Sequence, residues 1–408
     1  MNKKLQRLLD KELTRKEFLG VIGLACVSLF GVTGLLRELS SYAATPFVST
    51  EPDTGTPTNG ATVVSDTAAS GDKAIKFGQD TTTTHYVPAT PGSYKPSSAT
   101  TGYAPYGITL TPYGGQFGAI VNGTLTLATA GVTISGFDIP ARIVIRAANI
   151  TIRKCRVRGN ATLANNSALV DCNNAAVVNC IVEDCLLVPD HPSVWWNGMI
   201  GHDYTAQRNN VYHTVDGFGI YNIASRSAPN NVKLYANYVH DLTYYSPDPN
   251  HASDTPVSKT HNDCVQLQGN SNTDIRWNNF QGFFSTTVGD TQYTSTNRNA
   301  QGGYNVYHPS VTANAVLQVT QNVGPVTNLI FDSNWCDGGG GTLNMASKGD
   351  VIGNTIGSIT NNKFGRGQYY KASGGDTTVT FLSSGFKYVS TTGNVYEDNG
   401  NPITLRIT

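Results

Sequence analysis

His261, Asp263 and Gln266 fall close together in THNDCVQLQG, Thr260–Gly269, a stretch that otherwise reads as an ordinary strand. Histidine and aspartate are common proton carriers in catalysis. A second aspartate holds the matching place in DGFGIYN, Asp216–Asn222: there, as in DCVQLQG, Asp263–Gly269, the order is Asp, x, apolar, x, apolar, x, small. Two carboxylates about 5 Å apart repel unless a proton or cation lies between them. Either one aspartate then acts as a general acid, or the pair helps cradle Ca²⁺. Both arrangements suit glycan cleavage. β-Elimination of a uronate needs its carboxylate neutralised and a base at C5, whereas hydrolysis needs an acid and a water-activating base. The reading therefore assigns catalysis to Asp216, Asp263, His261 and His213, and metal ligation to Asp216, Asp241 and Asp263. Substrate contacts fall to Gln266, His240, Trp195 and Trp196, the tryptophans lying in the insertion PDHPSVWWNG, Pro189–Gly198. Exposed aromatic rings offer apolar faces on which sugars stack. The bland alternative is that the aspartates cap turns, the histidines decorate the surface and the tryptophans cover an edge.

Which of these residues meet depends on a repeat that begins near Tyr106. Its pattern is an aliphatic residue, two residues, Asn or a substitute, one residue, then an aliphatic or aromatic. It is seen in IRKCRV (Ile152–Val157), LYANYV (Leu234–Val239), IRWNNF (Ile275–Phe280) and ITNNKF (Ile359–Phe364). The fourth slot holds Phe137, Cys155, Cys185, Asn209, Asn237, Asn278, Asn334, Asn362 and Asn394. Short alternating strands with a recurrent Asn and variable insertions describe a solenoid with one repeat per coil. An Asn in the same slot of successive coils can bond its neighbours above and below, at the 4.8 Å strand spacing. Registering coils by this slot stacks Asp263 on Asp216, Gln266 on Gly219, His261 on Thr214, and His213 on Asp241 with His240 beside it.

The repeat resembles the right-handed parallel β-helix of the pectate-lyase-like superfamily, over roughly Tyr106 to Thr408. That resemblance implies an all-β solenoid and one of several functions, from polysaccharide lyases and polygalacturonases to non-enzymatic surface proteins. The signatures of particular enzymes are absent: GHD at Gly201–Asp203 is not the polygalacturonase G-H-G, and no W-x-D-H element occurs.

Composition sets the surroundings. Residues 1–44 carry six basic residues up to Lys16 and then an uncharged run, Phe18–Leu36. They read as an export signal with a small-residue cleavage site at Ser41–Ala43, or as an uncleaved membrane anchor. TRKEFL, Thr14–Leu19, resembles the twin-arginine export motif with Lys16 in place of the second arginine. Residues 45–105, rich in Thr, Ser, Gly and Pro, read as a linker, and 106–408 as the β-helix domain. Lys+Arg and Asp+Glu balance at 28 each, which gives no reason to expect a nucleic-acid partner. Six cysteines follow Cys26, at zinc-incompatible spacings inside apolar strands, and are expected as buried thiols. The expectation is a secreted or cell-surface monomer that touches membrane only through its N-terminal segment. It binds polysaccharide and, if an enzyme, cleaves it as a polyuronate lyase or glycoside hydrolase, with Ca²⁺ as the one cofactor considered. The alternative is a non-enzymatic adhesin or envelope protein.

Overall fold

The computed structural model describes residues 61–65, 73–77, 89–160, 167–221, 230–245, 247–249, 260–289, 313–321, 323–345, 355–368, 380–382, 386–405 and 407. The proposed export segment, residues 1–44, lies outside them. No helix among the described residues is long and apolar enough to cross a membrane. The chain divides into two compact units, Met1–Thr84 and His85–Thr408. In the first, Ala61–Ser65 pairs antiparallel with Lys73–Phe77.

The second unit is a parallel β-solenoid of three stacked sheets. Along each coil the chain crosses them in a fixed order, as in Tyr204–Gln207 of the first sheet, Asn210–Tyr212 of the second and Phe218–Ile220 of the third. Among the described residues the first sheet has 9 strands and the other two 10 each. All neighbours pair in parallel except Ile120–Val121, which folds back on Thr124–Leu127 at the N-terminal end. The apolar positions of the repeat explain the stacking. Ile134, Ile152, Val182, Ala206, Leu234, Ile275, Phe331 and Ile359 are register neighbours in the first sheet. All eight are fully buried. Val170, Met199, Phe218, Val265, Leu317 and Leu343 form the corresponding row of the third sheet. Each such side chain contributes roughly 1.5–3 kcal/mol on burial, so the core is a sum of like increments along the axis.

The Asn slot lies at the corner between the first and second sheets. Asn209 Nδ2 donates to Val182 O at 2.8 Å and to Asn237 Oδ1 at 3.0 Å. The same Asn237 oxygen accepts from the Asn209 backbone N–H at 3.0 Å. This unit repeats through Asn278, Asn334, Asn362 and Asn394, all essentially buried. Cys155 and Cys185 continue the slot toward the N-terminus as buried thiols, and all six described cysteines are free. The residue just before the slot is left-handed in every coil, including Lys154 (φ 51°), Ala236 (φ 53°) and Trp277 (φ 61°). Such backbone is costly for side chains larger than glycine, and the ladder's buried hydrogen bonds hold it in place.

The unit takes in residues 89–105, which the sequence reading placed in the linker. They run along the solenoid axis over this corner and the second sheet. Lys95 pairs with Glu397 at 2.6 Å, Pro96 O accepts from Asn279 Nδ2 at 2.7 Å, and Gly102 N donates to Arg208 O at 2.8 Å. Just beyond, Lys154 Nζ lies 4.0 Å from the centre of the Tyr106 ring. This strap ties the last coil to the second, a long-range contact that a solenoid of nearest-neighbour coils otherwise lacks.

Candidate functional site

Asp263 begins a strand of the third sheet and Asp216 lies two residues before the preceding one, Phe218–Ile220, at the corner where the chain arrives from the second sheet. The Gly217 and Gly198 positions that follow Asp216 and Asn197 explain the local path. A Cβ at Gly217 would lie 2.5 Å from Cys264 O and 2.7 Å from Val239 Cγ1. Without side chains there, the corner closes onto the second sheet and each Asx residue is brought over the next. Asn197 Oδ1 accepts from Asp216 N at 3.3 Å, and Asp216 Oδ1 accepts from Asp263 N at 2.8 Å. Asp263 Oδ1 in turn accepts from Asn314 Nδ2 at 2.9 Å. The result is a second Asx ladder, made of Asn197, Asp216, Asp263 and Asn314, in which a carboxylate oxygen does the work of an amide oxygen.

The stacking of Asp263 on Asp216 expected from the sequence is therefore present, but not as an open pair of outward side chains. Asp263 is fully buried and Asp216 is 7% exposed. Burial pushes the Asp263 carboxyl well above the usual carboxylate range, the neighbouring Asp216 adds to the rise, and the Asn314 hydrogen bond opposes it. Its second oxygen, Oδ2, has no hydrogen-bond partner among the described residues. The corner thus sets a carboxyl biased toward its protonated form, and closed off from solvent, directly beside Asp216.

His213 and Asp241 are also register neighbours, as expected: His213 N donates to Asp241 O at 3.0 Å. Burial pushes the His213 imidazole below its ordinary value, with Asp241 opposing and His240 reinforcing. His240 stacks between Tyr238 and Tyr212, with centroids 4.1 and 4.9 Å away. Its Nδ1 lies 2.6 Å from Asp241 Oδ2 and its Nε2 lies 3.0 Å from Asn210 Oδ1. That contact holds the Asp241 carboxyl below its usual range. Asp241 is thereby committed to His240 and not to Asp216 and Asp263, so the three carboxylates expected to ligate calcium do not converge. Among the described residues no group of three or more His, Cys, Asp or Glu is arranged to hold a metal ion. His261 is exposed at the approach to the strand.

The outer face of the third sheet lies beside this corner. In register across it stand Asp171, Ile200, Gly219, Gln266, Gln318 and Asn344. The space over Gly219 is filled by the protein itself: a Cβ there would lie 2.8 Å from Tyr221 Oη and 3.1 Å from its Cζ. The phenol is laid across the strand, and burial, with Asp216 and then Asp171 nearby, pushes its pKa up. Gln268 Nε2 donates to Gln266 Oε1 at 2.6 Å, and Asn314 Nδ2 to Gln318 Oε1 at 3.1 Å. Gln266 and Asn344 remain part exposed.

The two tryptophans part company. Trp196 is 1% exposed, its ring packed over Gly159, where a Cβ would come within 2.7 Å of Cζ2. It is a core residue and offers no face to a sugar, a correction to its expected role. Trp195 is half-buried. Tyr221, Gln318, Asn314 and Asn197 were not foreseen. Gln318 was within reach, because AVLQV (Ala315–Val319) repeats the pattern of DCVQL (Asp263–Leu267). It was hidden because a long insertion separates its strand from its coil's own slot, Asn278. Compared with known proteins, the chain matches no family model, no curated protein and no solved structure.

Proposed function

We propose that this chain is an exported, right-handed β-helix of the pectate-lyase-like kind that binds polysaccharide along the outer face of its third sheet. The observation that supports this reading is the row Gly219 (under Tyr221), Gln266, Gln318 and Asn344. Amides both donate and accept, which matches sugar hydroxyls. The phenol adds an aromatic surface with a polar tip. Parallel strands repeat these groups at about 4.8 Å, a spacing that presents them to an extended chain and not to one small molecule.

Cleavage is the further step this reading allows, with Asp263 as acid and Asp216 as base. The complete burial of Asp263 favours instead a non-enzymatic surface protein, in which the corner is structural. One experiment separates the three outcomes. The protein is incubated with a panel of polyuronates and neutral glycans, with and without Ca²⁺, and followed for retention, for unsaturated products and for new reducing ends. Retention with product that is lost in Asp263→Asn supports cleavage, and retention without product supports the binding protein. No retention of any glycan overturns the proposal.

A further inference from the structure

We propose that Cys155 and Cys185 are a site of oxidative modification, a dithiol that a disulfide oxidant converts into a covalent link between two coils. The inference does not rest on the polysaccharide reading. The two residues fill the ladder slot where later coils carry asparagine. There each amide is tied to the next, as Asn209 Nδ2 is to Asn237 Oδ1 at 3.0 Å. The thiols keep part of this pattern. Asn209 Nδ2 donates to Val182 O of the preceding coil, and Cys185 Sγ faces the corresponding Ile152 O at 3.6 Å. Cys185 N donates to Asn209 Oδ1 at 3.0 Å, as the backbone of the amide rungs does. What the thiols lack is the amide–amide tie, and in its place the two sulfurs face each other.

Arg156 and Leu186 are register neighbours, and Leu186 N donates to Cys155 O at 2.9 Å. The residues just before them, Cys155 and Cys185, therefore sit one strand spacing apart, about 4.8 Å between Cα atoms. A disulfide spans roughly 4.4–6.8 Å. No other two of the described cysteines are paired in register. Both thiols are buried, and their shortest contacts are S–H bonds to Arg153 O and Glu183 O, each 3.2 Å. A thiol is a weak donor, so little is lost when its proton leaves. The Cys185 thiol, donating toward Cys155, holds the Cys155 thiol below its ordinary value, whereas burial pushes Cys185 up. Cys155 is thus the nucleophile. Its thiolate attacks one sulfur of the oxidant RS–SR, forming Cys155–S–SR and releasing RS⁻. That RS⁻ takes the Cys185 proton, and the Cys185 thiolate attacks the Cys155 sulfur and displaces the second RS⁻. The proton first lost by Cys155 completes the balance: the protein gives up two electrons and two protons, and the oxidant leaves as two RSH. Burial keeps the oxidant out while these coils are closed, so the reaction proceeds through their local opening.

The test is peptide mapping of the full chain after incubation with oxidised glutathione, both in buffer and in urea just below the unfolding midpoint, where the coils open. Remaining thiols are then alkylated in denaturant without reductant. The expected result is a Cys155–Cys185 link as the main product in at least one of the two conditions, lost again on treatment with dithiothreitol. Cys185→Asn, which adds one more amide to the ladder, should leave Cys155 alkylated under the same treatment. Alkylation of both Cys155 and Cys185 in each condition overturns the inference. A main product that joins any other pair overturns it too, as does capture of Cys155 by another cysteine in Cys185→Asn.

Discussion

Replacing Asn278 with alanine removes the middle rung of the buried ladder while leaving both neighbouring rungs in place. Asn278 Oδ1 accepts from Asn237 N and Asn237 Nδ2, each at 2.9 Å. Asn278 Nδ2 donates to Leu234 O at 2.8 Å, to Arg276 O at 3.0 Å and to Asn334 Oδ1 at 2.9 Å. Alanine leaves the Asn237 backbone N–H facing a dry gap, and an orphaned buried donor costs about 1–3 kcal/mol. The vacated amide volume adds to this, so the expected loss is about 3 kcal/mol, or roughly a hundredfold in the folding equilibrium. Asn278→Asp should cost more at neutral pH, because a carboxylate then faces three acceptors. The control is Asn272→Ala, which breaks an exposed amide row of the same kind. There Asn272 Nδ2 donates to Asn231 Oδ1 at 3.2 Å, and Asn328 Nδ2 donates to Asn272 Oδ1 at 2.8 Å. Water replaces those bonds, and the loss should stay within about 0.5 kcal/mol. Urea unfolding followed by tryptophan fluorescence measures all three. Equal losses in Asn278→Ala and Asn272→Ala would refute the argument that burial gives the ladder its worth.

Three further outcomes are expected. The raised carboxyl of Asp263 contributes stability that is fully present below its unfolded value near pH 4 and is lost as pH rises through the folded one. Asp263→Asn should therefore gain melting temperature relative to the unmodified chain between pH 4 and pH 8, and parallel curves would contradict this. Gly219→Ala should displace the Tyr221 phenol and cost about 1 kcal/mol or more, with Tyr221→Ala relieving most of that cost in a double-mutant cycle; additive losses would show that the two do not touch. Tyr106→Phe removes a hydroxyl bonded to Asp184. It should destabilise by about 1 kcal/mol and raise the protease sensitivity of residues 89–105, and an unchanged digestion rate would argue against a strap held at this point.

The ladder and the solenoid were legible because one residue type recurs at one place in a repeating pattern. The slot from Asn209 to Asn394 is where the sequence puts it, down to the two thiols at its N-terminal end. The same register carried Asp263 onto Asp216, Gln266 onto Gly219 and His213 onto Asp241. It could not say which side chains would be covered. The burial of Asp263 depends on Asn314, which arrives after a long insertion, and that of Trp196 on packing over Gly159, an earlier coil's turn. The pairing of Asp241 with its adjacent histidine was not legible, because that histidine was read as a substrate contact. Filling over Gly219 came from two residues along the same strand end, where Tyr221 folds back. The strap was invisible for a different reason. Its contacts are mainly backbone groups and scattered single pairs, which leave no composition signal in a Thr- and Pro-rich stretch.

The central claim is that polysaccharide lies on the outer face of the third sheet. Its most direct measurement is glycan retention by Gln266→Ala and Asn344→Ala, compared with Asn272→Ala on the first sheet. The account predicts that each substitution on the third sheet weakens retention by about tenfold, as expected when a polar contact to the sugar is removed, while Asn272→Ala leaves it unchanged. Unchanged retention in both third-sheet variants, or a loss in Asn272→Ala alone, would contradict it.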